Sequence, residues 1–163
     1  MTDPVAPPAG IGGTKDAAYG SILVPLDRSA IASHVFLSAV HLGRLSGGRL
    51  HLLHVLDVAP ALPPAAHVVP DGLEGKLLAE GMAELERWMS SAPDIAFERP
   101  RVVIGDPWRT ILQVAREIDV DLIVIGSHRY CGVDRILGTV AAKVVNHADR
   151  DVLVIHSRNI AGR

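Results

Sequence analysis

Two glycine motifs in the C-terminal third of the sequence have the residue types of an anion-binding site. Gly126 follows the apolar run Leu122 to Ile125, and Gly138-Thr139 opens a segment with helical spacing. Glycines let the backbone approach a ligand, successive N–H groups form a concavity, and a helix N-terminus adds the positive end of its dipole. The pattern therefore predicts that a phosphate binds between this strand and this helix.

The local charge suits the same ligand. Between Gly126 and Arg150 there are two more basic than acidic residues, and the basic ones are Arg129, Arg135, Lys143 and Arg150. The whole chain carries a formal net charge of −2, which argues against nucleic acid as the main partner. The excess of positive charge is thus confined to the region of the two motifs, where its sign favours a phosphate.

Five apolar runs alternate with segments of helical spacing, which predicts a parallel α/β sheet with helices on both faces. The third run contains Pro100, which cannot donate to a ladder, so this strand is expected at a sheet edge. The predicted strands are Ser21 to Leu26, Arg49 to Leu56, Ile95 to Ile104, Leu122 to Ile125 and Asp151 to His156.

The helices between these strands carry recognisable start signals. Ser29 is expected to cap the first helix, whose predicted buried stripe runs from Ile31 to Leu45. Asp106 is expected to cap the third helix, with Pro107 at its first position. The second helix is predicted from Leu73 to Met89.

The winding of such a sheet must reverse at one point, because right-handed crossovers put helices on both faces. If the strand order is 3-2-1-4-5, the reversal lies between strands 1 and 4. Ligands of open α/β sheets bind in that crevice, beyond the carboxyl ends of the strands. Asp27 follows strand 1 and Gly126 follows strand 4, so both are expected there.

Composition limits the remaining possibilities. The 163 residues are 48% hydrophobic, which suits one compact domain. No apolar run approaches the roughly 20 residues that cross a membrane, and the N-terminus lacks a signal-peptide pattern, so a cytoplasmic protein without membrane contact is expected. Cys131 is the one cysteine, and His51 and His54 should lie on opposite faces of a strand, so no metal site is predicted.

Three segments are expected to lie outside the regular elements. The Pro- and Gly-rich residues 1–18 should form a flexible arm, and residues 159–163 a C-terminal tail. Asp57 to Asp71 contains four prolines and is either a binding flap or a tolerated surface insertion.

The chain resembles the universal stress protein family from Tyr19 to Arg158. The resemblance is carried by ILVPLDRS, by GDPWRTILQVAREIDVDLIVIGSH and, most specifically, by GVDRILGTVAAKVVNHADRDVLVIHSR. It implies a Rossmann-like, doubly wound sheet of order 3-2-1-4-5, similar to adenine nucleotide alpha hydrolases. It also implies a stress-response protein that binds ATP, with or without Mg²⁺, and a homodimer through the fifth strand, Asp151 to His156.

Nucleotide-binding members of the family share a signature that this chain matches only in part. The signature is a glycine, two residues, a second glycine, nine residues, and a glycine followed by serine or threonine. Gly126 and Gly138-Thr139 match its ends, but Arg129 replaces the second glycine and eight residues follow it instead of nine. An arginine disfavours the close backbone approach that glycine allows, yet its guanidinium could grip a phosphate.

The resemblance assigns a role to each matching position. Asp27 would accept a hydrogen bond at the adenine and ribose end, or cap the first helix, and Val55 would touch adenine through its backbone, or be a core residue. Backbone N–H groups and the Thr139 hydroxyl would hold the phosphates. The complete set of predicted nucleotide-binding residues is Pro25, Asp27, Val55, Gly126, Arg129, Gly138, Thr139 and Val140.

Three classes of function are compatible with these residues. They are a nucleotide-binding dimeric regulator, a slow ATPase or phosphotransferase, and a dimeric interaction module with a degenerate site. Without a Walker lysine pattern or paired acids, weak ATP hydrolysis is the most that we expect. His128 could donate a proton to a phosphate, and Cys131, near Arg129, could be redox-sensitive; each could equally be an ordinary loop residue.

Overall fold

The computed structural model describes residues 19–57, 72–127 and 139–156, in which strands and helices alternate. The elements are β1 (Ser21–Pro25), α1 (Ala32–Ser46), β2 (Arg49–Leu56), α2 (Leu73–Ser90), β3 (Arg101–Ile104), α3 (Pro107–Glu117), β4 (Leu122–Ser127), α4 (Thr139–His147) and β5 (Asp151–His156). The predicted alternation is therefore confirmed.

The five strands form one parallel sheet in the order β3-β2-β1-β4-β5. β1 pairs with β2 through Ser21 and Arg49, and with β4 through Ile22 and Leu122. The winding reverses between β1 and β4, as the sequence predicts. β3 and β5 are the two edge strands, which confirms the expected position of β3.

Two hydrophobic layers cover the sheet. α1 and α2 pack on one face around Val24, Phe36 and Leu85, and α3 and α4 pack on the other face around Leu23 and Ile111. Successive residues of a strand point to opposite faces, so Leu23 and Val24 serve different layers. The doubly wound fold is therefore confirmed in the part of the chain that the structure describes.

Three predicted strand boundaries are wrong. β4 ends at Ser127 and not at Ile125, so Gly126 lies within this strand and not after it. β1 ends at Pro25 and not at Leu26, although the Leu26 N–H still donates to the Leu53 carbonyl at 2.8 Å. β3 spans only Arg101–Ile104, and before it the chain makes a single isolated bridge between Leu50 and Phe97. Pro100 has no N–H to donate, so regular pairing begins only after it.

Two predicted helix caps also differ from the structure. Ile31 occupies the N-cap position of α1 without a side-chain bond, and the hydroxyl of Ser29 donates to Asp27 instead. Asp106 is the N-cap residue of α3 but its side chain makes no capping bond, and its carboxylate lies 3.5 Å from Nε of Arg109. Pro107 begins α3 as predicted.

Leu45 does not belong to the buried stripe of α1. Its side chain is 72% exposed, whereas Phe36 is buried. Nine residues correspond to about 2.5 helical turns, so Leu45 lies on the side of the helix opposite to Phe36. The prediction that Leu45 is a core residue is wrong.

Candidate functional site

A cavity of about 270 Å³ lies at the carboxyl end of the sheet, where the winding reverses. The ends of β1, β2 and β4 and the first turns of α1, α3 and α4 form its wall. Its lining residues are Pro25, Leu26, Asp27, Ile31, Ala32, Val35, Val55, Asp57, Pro107, Ile111, Ile125, Gly126 and Val140.

Five of the eight predicted nucleotide-binding residues line this one cavity: Pro25, Asp27, Val55, Gly126 and Val140. They come from β1 and the turn after it, β2, β4 and α4, which are distant in sequence. Thr139 is exposed at the start of α4 and is not among the lining residues.

Arg129 and Gly138 lie outside the described residues, as do His128 and Cys131. The same is true of the arm at residues 1–18, most of the segment from Asp57 to Asp71, and the tail. The roles suggested for them stay predictions.

Gly126 has a packing role that is separate from any ligand. A Cβ atom on this residue would lie 3.0 Å from Cγ2 of both Ile31 and Val35, which is closer than carbon atoms normally pack. The missing side chain therefore lets α1 approach β4. This close approach shapes the cavity, because Ile31 and Val35 are themselves lining residues.

Asp27 organises the turn that leads from β1 into α1. Its Oδ1 accepts hydrogen bonds from the backbone N–H of Ser29, at 3.1 Å, and from the Ser29 hydroxyl. The Ser29 carbonyl in turn accepts from the N–H of Ala32 at 3.1 Å. Asp27 thus shapes the entry to α1 while its exposed carboxylate lines the cavity.

The described wall of the cavity is apolar with an acidic rim. Its charged members are Asp27 and Asp57, and no lysine or arginine is among the lining residues that the structure describes. Arg28 directly follows Asp27 in the sequence, but its guanidinium pairs with Glu84 at 3.0 Å. Such a wall suits an uncharged group that offers apolar faces and hydrogen-bond donors more than it suits a phosphate.

Two basic residues of the C-terminal region are engaged elsewhere. Arg150 donates from Nη1 to the carbonyls of Ala115, at 2.7 Å, and Val120, at 2.8 Å. It directly precedes β5, so it lies at the amino end of the sheet, opposite to the cavity. The Nζ of Lys143 lies 5.6 Å from the centre of the Trp108 ring. Arg150 therefore does not contribute to the predicted phosphate site.

The sequence prediction missed several lining residues. Asp57 directly follows β2, so the rule that selected Asp27 after β1 could also have found it. Pro107 was predicted only as the first residue of α3, and the apolar residues of that helix, Ile111 among them, were not assigned to a site. Nothing in a helical stripe tells which of its apolar residues face a cavity and which face the core.

Within residues 19–57, 72–127 and 139–156, no three His, Cys, Asp or Glu side chains come together as metal ligands. None of the helices in these ranges is both long enough and apolar enough to span a bilayer.

The chain is similar over most of its length to known proteins. The universal stress protein family matches residues 18–156. Universal stress protein Sll1388 of Synechocystis is 29% identical over 151 residues, covering 84% of this chain and 97% of its own. The solved structure of protein MJ0577, from Methanocaldococcus jannaschii, superposes with a TM-score of 0.72 at 28% identity, covering 87% of this chain and 99% of its own.

Two further solved structures share the fold and contain adenine nucleotides. One is a universal stress protein in complex with cAMP, with a TM-score of 0.62 and 22% identity over 86% of this chain and 98% of its own. The other is the universal stress protein of Archaeoglobus fulgidus in complex with dAMP, with a TM-score of 0.54 and 24% identity over 85% of this chain and 98% of its own. At these identities the likeness shows the fold alone. The match over residues 18–156 establishes that the chain belongs to the universal stress protein family.

Proposed function

We propose that this protein binds ATP as a regulatory ligand, with the adenosine end of the nucleotide in the cavity at the winding reversal. The observation that carries the proposal is the convergence of Pro25, Asp27, Val55, Gly126 and Val140 on one cavity. Proteins of the same fold solved with cAMP and dAMP support adenine as the base to test first.

The character of the wall supports this orientation of the ligand. Val55, Ile111 and Val140 offer apolar surface to a base, and the carboxylates of Asp27 and Asp57 can accept hydrogen bonds from ribose hydroxyls or an amino group. Small-molecule pockets usually measure about 300–1,000 Å³, so a cavity of about 270 Å³ suits a nucleoside better than a whole nucleotide. The phosphates would extend past Gly126 towards the N-terminal end of α4.

Calorimetric titration with ATP, adenosine and inorganic tripolyphosphate tests this orientation. We expect ATP and adenosine to bind to the purified protein and tripolyphosphate to bind much more weakly. Val140→Phe should abolish binding of both adenosine compounds by filling the cavity. Leu45→Phe, at an exposed position on α1, should leave binding unchanged. Equal binding by wild type and Val140→Phe would refute the proposal.

Two roles are open for Arg129, gripping a phosphate or blocking its approach, and the variant Arg129→Gly distinguishes them. A forked guanidinium that grips a phosphate would make Arg129→Gly bind ATP more weakly, with adenosine affinity unchanged. An arginine that blocks the backbone would make Arg129→Gly bind ATP more tightly. Release of phosphate from Mg-ATP by the same proteins would separate passive binding from hydrolysis, and we expect little or none.

We also propose that the protein forms a homodimer through β5 and signals stress through its nucleotide occupancy or its dimeric state. Among the residues that the structure describes, β5 is an edge strand, and Leu153 on it is 37% exposed. An edge strand with exposed apolar side chains invites pairing with another chain. Sedimentation should give a dimer for the wild type and a monomer for Leu153→Asp. Leu45→Asp, which places the same charge on α1, should remain dimeric. A monomeric wild type would refute this part of the proposal.

A further inference from the structure

His54 makes a buried hydrogen bond that joins β2 to the turn after β1. Its side chain is 6% exposed, and Nδ1 lies 2.7 Å from the carbonyl oxygen of Leu26, 28 residues earlier in the chain. Because a carbonyl can only accept, Nδ1 carries the hydrogen and donates it. The bond connects the ends of two neighbouring strands just below the cavity.

A second hydrogen bond also holds Leu26 to β2. The N–H of Leu26 donates to the Leu53 carbonyl at 2.8 Å, so β2 holds both polar backbone groups of Leu26. The next residue after Leu26 is Asp27, and the next after His54 is Val55. Both of these neighbours line the cavity, so the position of one wall relative to the other depends on the contacts between His54, Leu53 and Leu26.

α2 shields this bond from water. A Cβ atom on Gly81 would lie 3.3 Å from Cδ2 of His54 and 3.0 Å from Cγ1 of Val102, so α2 packs directly on the imidazole ring. A hydrogen bond in such a site is electrostatically stronger than one in water. A carbonyl that lost its donor there would be costly to leave unpaired.

We propose that His54 is a positioning residue for the ligand cavity. It acts through the Leu26 carbonyl, holding the turn so that Asp27 faces Val55 across the cavity, and it does not itself touch the ligand. This inference rests on the proposed function for its effect on affinity. Its effect on the turn is independent of any ligand.

Two substitutions separate the hydrogen bond from the packing. His54→Asn keeps an N–H donor close to the Nδ1 position, whereas His54→Leu fills the site with an apolar side chain. We expect His54→Leu to weaken ATP binding about 10-fold or more and His54→Asn to weaken it by less than about 3-fold. In ligand-free protein, hydrogen exchange at the amides of Asp27 to Ser29 should accelerate at least about 10-fold in His54→Leu only.

The exchange measurement keeps the two proposals distinguishable. If wild-type protein does not bind ATP, the proposed function fails, yet faster exchange in His54→Leu alone still supports the positioning role. Equal exchange and equal affinity in both variants and the wild type would overturn the inference. So would equal losses in both variants, since the donor would then not matter.

If His54→Leu does not fold, a third variant tests the same inference. Gly81→Ala keeps the histidine side chain but adds a methyl group 3.3 Å from Cδ2 of its ring and 3.0 Å from Cγ1 of Val102. We expect the displaced ring to give the same faster exchange at Asp27 to Ser29 and the same loss of ATP affinity. A folded Gly81→Ala protein with wild-type exchange at these amides would overturn the inference.

Discussion

Replacing Gly126 with alanine tests the packing that shapes the cavity. The added methyl group would lie 3.0 Å from Cγ2 of Ile31 and of Val35. Both of these atoms belong to β-branched side chains on or beside α1, whose χ1 angles have little freedom in a helix. The strain therefore has to be relieved by moving α1 away from β4.

The size of the effect follows from two opposing contributions. Overpacking a well-packed site by one methyl group costs about 1–3 kcal/mol. Replacing a glycine also reduces the entropy of the unfolded chain. This stabilises the folded state by about 0.4–1 kcal/mol where alanine fits the backbone. The net loss should be about 1–2 kcal/mol, and each kcal/mol lowers Tm by about 2–4 °C in a chain of this size.

Thermal unfolding of two alanine variants provides the test. Gly126→Ala should melt about 2–8 °C below the wild type. Gly75→Ala, in α2, is the matched control, because a Cβ atom there would meet nothing within 4 Å. It should melt at or slightly above the wild-type temperature, since alanine favours a helix more than glycine does.

The comparison of the two variants can refute the packing argument. If Gly126→Ala melted at or above the temperature of Gly75→Ala, then α1 would not be pressed against β4 at this glycine. The account of how the cavity wall is built would then be wrong. A Gly126→Ala protein that is less stable but binds ATP normally would show that the close packing supports the fold without tuning the cavity.

Three other predictions concern the opposite end of the sheet. In denaturant titrations, Arg150→Ala should lower the free energy of unfolding by about 1–3 kcal/mol, because the carbonyls of Ala115 and Val120 lose a donor. Arg49→Ala, which removes an exposed arginine, should change the free energy of unfolding by less than about 0.5 kcal/mol. The hydrogen bond from Arg150 lowers the pKa of Asp149 from 3.8 to about 2. The ionised carboxylate therefore stabilises the fold above about pH 4, and this contribution is lost as the pH falls towards 2. Asp149→Asn should flatten the dependence of Tm on pH between about pH 4 and pH 2. Gly48→Ala should lower Tm more than Gly126→Ala does, because its Cβ atom would lie 2.1 Å from the carbonyl oxygen of Tyr19.

The sheet was predictable because its signals are local and redundant. Each strand is an apolar run of strand length, and Arg49–Leu56 and Asp151–His156 have the predicted bounds. The strand order followed from the handedness of crossovers together with the family resemblance. Errors arose where one residue changes the backbone, as at Pro100, or where helical periodicity was followed too far, as at Leu45.

The cavity was only partly predictable, because its parts act over long sequence distances. The carboxyl-end rule selected Asp27 and Gly126, and both are lining residues. The bond from His54 to Leu26 spans 28 residues and leaves no pattern in the sequence. The contact of Gly126 with α1 was equally invisible, because a glycine needed for packing looks the same as a glycine needed for a phosphate.

The most direct test of the central claim is an NMR measurement of contacts between bound ATP and methyl groups of the protein. With methyl-labelled protein and saturating ATP, we predict nuclear Overhauser effects from adenine protons to Val55, Ile111 and Val140, and none to the exposed Leu45. Contacts to methyl groups elsewhere on the protein, or bound ATP with no contact to these three residues, would contradict the account.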